Sequence, residues 1–258
     1  MALAGETPFL DFGGRWIVVT GASSGIGRAI SIELARRGAS LVLIGRNETG
    51  LKETARLAGE DVCRLLMMDL AQTATIHERL QDVAGRTGRL YGLCHAAGVT
   101  ETRPLNAFRA ETFRAMLEVN LTAGLELARS VTRRDVFAED GGAILLIASV
   151  YGSVGMPGQA GYCATKGALL AAARALAMEL ARRRIRVNTL SPGLVRTPMT
   201  DAAFAGLDPR QVQEIESAYP LGVGQPEDVA RAAAFLLAPQ TRWITGIDLC
   251  IDGGYTAR

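Results

Sequence analysis

The sequence predicts an α/β protein with a single doubly wound sheet of about seven parallel strands and helices on both faces. Two observations carry this: the apolar runs are short and continuous rather than alternating, and helical stretches separate them. A third bounds the size. A chain of 258 residues, 48% apolar and 21% charged, can bury one sizeable core and needs no second domain.

The first run, WIVVT at 16–20, is followed by a glycine-rich turn and a helical pattern over 25–37. SLVLIG at 40–45 and CRLLMM at 63–68 come next, then a helix over 72–86 and the run LYGLCHA at 90–96. A long helix is expected over 108–137, before AILLIAS at 143–149. A helix over 160–182 leads into IRVNTLS at 185–191, and one over 226–238 precedes IDLCI at 247–251. Unbroken apolar strands are buried on both faces, which calls for a parallel sheet between helices. The helices are long enough for the right-handed crossovers that parallel neighbours require. No repeat, low-complexity linker or composition shift divides the chain, so residues 1–258 read as one domain.

Charge and cysteine content exclude several classes. The net charge is +2 with acids and bases interspersed, so there is no basic stripe for nucleic acid. ARRRIR at 181–186 is the one dense basic run and reads as a solvated helix end. The N-terminal stretch MALAGETPFLDFGGR has Glu6 and Asp11 but neither the basic region nor the apolar run of an export signal. No run of about 18 apolar residues is present to span a membrane. Cys63, Cys94, Cys163 and Cys250 lie far apart and only two histidines accompany them, so no metal site is expected. Reduced cysteines fit a cytoplasmic protein.

In a doubly wound sheet the ligand sits beyond the carboxyl ends of the strands. The first strand runs into TGASSGIGRAI, where Gly21, Gly25 and Gly27 remove side chains at a tight turn before a helix. The free N–H groups and positive dipole end of that helix suit a pyrophosphate. The spacing Gly-x-x-x-Gly-x-Gly resembles the cofactor fingerprint of the short-chain dehydrogenase/reductase family, and the likeness extends from Trp16 to about Tyr255. MDL at 68–70, HAAG at 95–98, EVNLTA at 118–123, SPGLVRTPM at 191–199 and ITGIDLCIDGGYT at 244–256 follow in the family's order. In HAAG, Ala97 and Gly98 match the family's usual Asn-Asn-Ala-Gly, whereas His95 and Ala96 depart from it. The resemblance implies a Rossmann domain and a cofactor site made of Gly21, Ser23, Ser24, Gly25, Ile26, Gly27, Arg46, Asp69, Leu70, Ala97, Gly98, Pro192, Gly193, Val195 and Thr197, with contacts from Tyr162 and Lys166.

The chemistry follows from a choice of residue. Of the 28 Lys and Arg residues only Lys52 and Lys166 are lysines, and Lys166 stands one helical turn after Tyr162. Hydride transfer to a carbonyl leaves an alkoxide that must be protonated, and a phenol can do this if its pKa is brought down from about 10. A lysine four residues on shares the tyrosine's helix face, and its ammonium is expected to favour the phenolate. An arginine's planar fork has a different reach and is no simple substitute. Ser149, at the end of the strand before, can hold the substrate oxygen. Asn120 lies inside an apolar helix, where an amide is costly unless bonded. By resemblance it bends that helix and holds a water linking Lys166 to solvent.

The second strand ends without an acid and is followed by Arg46 and Asn47, which favours NADP(H) over NAD(H). Residues 193–222 are long enough for a helical lid whose Met199, Phe204, Leu207, Ile215 and Tyr219 could line an apolar pocket. VYGSVGMPGQAGYCATKGAL resembles 3-oxoacyl thioester reductases of the family. Carrier-protein docking is less well supported, because Arg133 and Arg134 are followed by an acidic turn. The expected activity is therefore that of a ketone or 3-oxoacyl reductase. An NAD-dependent secondary alcohol or sugar/polyol dehydrogenase is the alternative. A non-enzymatic cofactor-bound regulator would not need Asn120, Ser149, Tyr162 and Lys166 together, and an extended-type epimerase would show a different glycine spacing and a longer chain. The resemblance also implies a homotetramer.

Overall fold

The computed structural model describes residues 10–257. The stretch before Leu10, part of the segment read above for an export signal, and Arg258 lie outside the described residues. Seven strands form the sheet: β1 (Trp16–Thr20), β2 (Ser40–Gly45), β3 (Cys63–Met67), β4 (Leu90–His95), β5 (Gly142–Ile147), β6 (Ile185–Pro192) and β7 (Asp248–Ile251). Their order is β3-β2-β1-β4-β5-β6-β7 and every neighbouring pair is parallel. The winding reverses between β1 and β4, and that switch point opens a crevice beyond the strand ends.

Alternate residues of β1 explain the layering. Ile17 and Val19 face one apolar cluster with Ile30 and Leu34 of α1 (Gly25–Arg36), Leu51 of α2 (Glu48–Ala58) and, further along the sheet, Val229 of α9 (Pro226–Leu237). Val18 faces the opposite cluster, with Ile76 and Leu80 of α3 (Ile76–Thr87), Leu127 of α5 (Ala123–Val131) and Leu169 of α6 (Ala160–Leu180). Each such fully buried side chain contributes about 1.5–3 kcal/mol relative to exposure. The edge strand β3 differs from the doubly buried runs expected above. Leu65 and Met67 of β3 are 39% and 47% exposed, at the edge of the sheet where β3 has a strand neighbour on one side only.

The helix expected over 108–137 is interrupted. It runs as α4 (Ala110–Leu117), a π-helical turn over Glu118–Thr122, and α5, which stops at Val131. The last residues leave the helix because Leu90 takes their backbone: its N–H donates to Val136 O at 2.8 Å and its carbonyl accepts from Ala138 N–H at 2.9 Å. Helix α2 was not foreseen; Asn47 caps it by accepting from the Gly50 N–H at 3.0 Å. Nor is the basic run at 181–186 all solvated. Arg186 is buried, and its guanidinium donates to the carbonyls of Leu236, Leu237 and Ala238, closing the C-terminal end of α9.

Candidate active site

The loop between β1 and α1 makes one wall of a groove of about 510 Å³ at the switch point. Gly21 has φ of +64°, and a Cβ there would lie 2.9 Å from the backbone of Ala97. At Gly27 a Cβ would meet the Gly21 carbonyl at 2.3 Å, so strand and helix can approach this closely only without side chains. Helix α1 opens at Gly25 with no acidic residue in its first turn, leaving its positive end free for an anion. Arg28 braces the loop from behind, donating to Ser23 O at 2.5 Å and Thr54 Oγ1 at 3.0 Å. These features fit a dinucleotide: a backbone cradle for its phosphates, and a basic Arg46 rather than an acid after β2.

Of the expected cofactor residues, Gly21, Ser23, Ser24, Gly25, Ile26, Gly27, Arg46, Asp69, Leu70, Ala97, Gly98 and Thr197 all line the groove. Gly45, Asn47, Met68, Ala96, Val99, Val119 and Pro198 line it too and were not among the expected cofactor residues, and Met199, expected as a pocket-lining residue, joins them. Most are next to a predicted residue in the chain, which is the one signal the sequence held for them. Pro192, Gly193, Val195, Tyr162 and Lys166 are not among the lining residues. Val195 is buried and bridges to Gly224. At Gly193 a Cβ would meet Tyr219 Cε1 at 2.8 Å, so packing against Tyr219 already demands a glycine there.

Beyond the groove the catalytic candidates meet. Ser149 follows β5 in extended conformation, and its Oγ accepts from the Tyr151 N–H at 3.2 Å. Tyr162 and Lys166 stand in the first turns of α6, the Lys166 Nζ lying 5.6 Å from the centre of the tyrosine ring. Lys166 is buried and donates to the Ile147 carbonyl at 2.7 Å. Burial pushes its pKa down to about 8. Burial likewise pushes the Tyr162 phenol up to about 12, with the Ser149 hydroxyl pulling the other way. The lowered phenol pKa expected from the Tyr-Lys spacing is thus not what the chain alone produces: desolvation outweighs every favourable contact.

Asn120 occupies the π turn and is fully buried. Its Oδ1 accepts from Val99 N–H at 2.8 Å, and its Nδ2 donates to Val99 O at 2.9 Å and Thr165 Oγ1 at 3.0 Å. The amide is a strut between the β4 loop and α6, with no side-chain donor left over for a water. A Cβ on Gly98 would sit 3.4 Å from Asn120 Oδ1 and 3.6 Å from Lys166 Nζ, so the two groups converge on one point.

Residues 193–222, expected above to form a lid, hold two helices, α7 (Pro198–Phe204) and α8 (Pro209–Ser217). Met199 is 47% exposed at the groove, whereas Phe204, Leu207 and Ile215 are half-buried and Tyr219 is buried. Tyr219 stacks on Tyr255 at 4.7 Å, and Tyr151 meets Tyr255 edge-on at 6.4 Å. Three tyrosines from distant parts of the chain thus join the segment after α8 to the loop after Ser149. No group of metal-ligating side chains occurs among the described residues, and no described helix is long and apolar enough to cross a membrane.

A phosphate cradle at the switch point of a parallel sheet, with a tyrosine and a buried lysine beside it, defines a dinucleotide-dependent oxidoreductase. Comparison with known proteins supplies the family. A family model described as enoyl-(acyl carrier protein) reductase matches residues 21–256. The 3-oxoacyl-[acyl-carrier-protein] reductases FabG of Escherichia coli (strain K12) and Rickettsia conorii are each 34% identical over 246 residues, 95% of this chain and 98% of the relative. A solved structure described as an NAD(P)-dependent gluconate 5-dehydrogenase, from Beutenbergia cavernae with NADP bound at low occupancy, is 35% identical. It superposes with a TM-score of 0.90 over 97% of this chain and 100% of its own. The chain belongs to the short-chain dehydrogenase/reductase family and is an NAD(P)-dependent oxidoreductase acting on CH–OH groups.

Proposed function

We propose that the protein transfers hydride reversibly between NADP(H) and a ketone or 3-oxoacyl thioester, with Tyr162 as the acid/base. The observation that carries this reading is the meeting of Ser149, Tyr162 and Lys166 at the strand ends beside the groove. A bound nicotinamide supplies the hydride in reduction and accepts it in oxidation. In reduction the carbonyl oxygen gains negative charge as hydride reaches its carbon; the Ser149 hydroxyl holds that oxygen and the Tyr162 O–H gives it a proton. Lys166, held by the Ile147 carbonyl, is the neighbouring cation that favours the resulting phenolate, and Asn120 keeps the β4 loop and α6 in register around it.

Preference for NADP(H) rests on Arg46. It lines the groove and also an adjoining cavity shared with Arg79, and among the described residues neither arginine is in an ion pair. Asn47, the other residue after β2, is engaged as a helix cap. The NADP bound by the Beutenbergia protein supports the same choice. We read residues 193–222 as the substrate lid of a single catalytic domain. The chain works as a homotetramer in the cytoplasm, on small carbonyl or alcohol substrates, with no nucleic-acid or membrane partner; exposed Met178 and Trp243 support self-association.

The test is Tyr162→Phe assayed with NADPH against acetoacetyl and crotonyl thioesters and simple ketones, and with NADP+ against gluconate. The substitution should lower turnover on the best substrate by about a thousandfold while NADPH still binds. Turnover within tenfold of the parent overturns the assignment, and reduction of crotonyl thioester alone moves the reaction from C=O to C=C.

A further inference from the structure

His95 stands at the end of β4, fully buried and outside the set of groups assigned above. Its surroundings determine where its proton is. The Thr20 hydroxyl oxygen accepts from the Ala96 and Ala97 N–H groups, both at 3.1 Å. Both of its lone pairs are then used, and its own proton is left to donate. The group within reach is His95 Nδ1, at 3.0 Å. Nδ1 is therefore the acceptor, and a neutral ring must carry its proton on Nε2.

Nε2 points to the π turn. A Cβ on Gly124, just past that turn, would lie 2.9 Å from His95 Cδ2 and 3.2 Å from Nε2, so only a glycine lets the ring lie against the helix here. A π turn moves backbone bonding from i+4 to i+5 and leaves carbonyl capacity unused. The backbone of Val119 and Asn120 is close enough to favour a proton on the ring, though Nε2 closes no full hydrogen bond. Burial, and then the charge of Lys166, hold the ring neutral, with its pKa down to about 4.

We propose that His95, with its proton on Nε2, is a positioning residue that couples the Thr20-anchored groove loop to the π turn carrying Asn120. One side of the ring receives the Thr20 hydroxyl, which organises the Ala96 and Ala97 N–H groups at the groove wall. The other side meets the backbone of the residue whose amide fastens Val99 to Thr165, next to Lys166. A shift of coenzyme against that wall is felt at Asn120 through one rigid ring. The kinetic part of this inference rests on the proposed hydride transfer; the tautomer part does not.

The chain has only two histidines, His77 and His95, so a long-range proton–nitrogen NMR spectrum of the imidazoles holds two ring systems, assigned with His77→Gln. The expected result is a neutral Nε2–H ring for His95 at every pH from 5 to 8, and a mixture of tautomers in Thr20→Val. A proton on Nδ1, or a ring that becomes charged within that range, overturns the proposal. In kinetics, His95→Leu should lose at least tenfold in kcat with less than a threefold change in NADPH Kd, and His95→Asn, which keeps a donor and an acceptor, should restore most of it. A folded His95→Leu with kcat within twofold of the parent, or with equal losses in kcat and Kd, overturns the coupling while leaving the hydride-transfer reading intact. Should His95→Leu not fold, the spectra of the parent and Thr20→Val decide. Failure of the Tyr162→Phe test would remove the hydride-transfer reading and leave the tautomer assignment standing.

Discussion

Lys166 donates to the Ile147 carbonyl at 2.7 Å while its Nζ stays 5.6 Å from the centre of the Tyr162 ring. The lysine is thus anchored to the end of β5, the strand that leads into Ser149, and stands beside the phenol without a direct bond to it. Its desolvation is the dominant influence on its own titration.

The pH dependence of reduction follows from that burial. With a pKa down to about 8, Lys166 is an ammonium below that pH and loses its proton above it. Tyr162, pushed up to about 12, stays protonated throughout. The kcat for carbonyl reduction should therefore decline above about pH 8, and the limb should belong to the lysine. Lys166→Arg should lower kcat and abolish that limb, because guanidinium does not deprotonate in this range. A wild-type profile flat from pH 6 to 10 contradicts the assignment.

Arg46 should govern cofactor choice. Arg46→Asp is expected to weaken NADPH binding at least tenfold and leave NADH binding equal or better, read from nicotinamide fluorescence. An unchanged ratio of the two affinities shows that the 2′-phosphate is read elsewhere.

Asn120→Leu replaces a buried amide that makes three hydrogen bonds and leaves Val99 without its side-chain partner. The expected cost is about 2–4 kcal/mol in chemical denaturation. Turnover should fall more than KM rises, since the strut supports α6 and not the substrate. A loss confined to KM would place Asn120 in binding instead.

Arg186→Met tests the part of the basic run that folds inward. It removes the donors from the Leu236, Leu237 and Ala238 carbonyls, and should lower stability by about 2–4 kcal/mol with little effect on kcat in the variant that remains folded. A midpoint within experimental scatter of the parent would mean water replaces the guanidinium.

The strands and the groove glycines were legible because their causes are local. A run such as WIVVT can be a doubly buried strand wherever it is placed, and Gly21 and Gly27 announce a backbone that must turn and pack closely. The interruption at Glu118–Thr122 was less legible. EVNLT has no proline or glycine to mark a break, and the turn faces His95 and Thr165, which are distant in sequence. Similarly, ARRRIR gives no sign of which arginine is buried. That is decided by the carbonyls at the end of α9, some fifty residues later.

The sequence by itself determined the doubly wound parallel sheet, the glycine-rich turn after the first strand and the presence of Asn120, Ser149, Tyr162 and Lys166. Periodicity, glycine placement and the single lysine one turn after a tyrosine are all properties of short segments. Only the tertiary structure decided the charge state of the site and its bracing. Desolvation, the direction of the lysine's hydrogen bond, the position of the His95 proton and the joining of Tyr151, Tyr219 and Tyr255 depend on which distant segments surround a group. Electrostatic free energy in a protein interior is a function of that surrounding and not of the neighbouring letters.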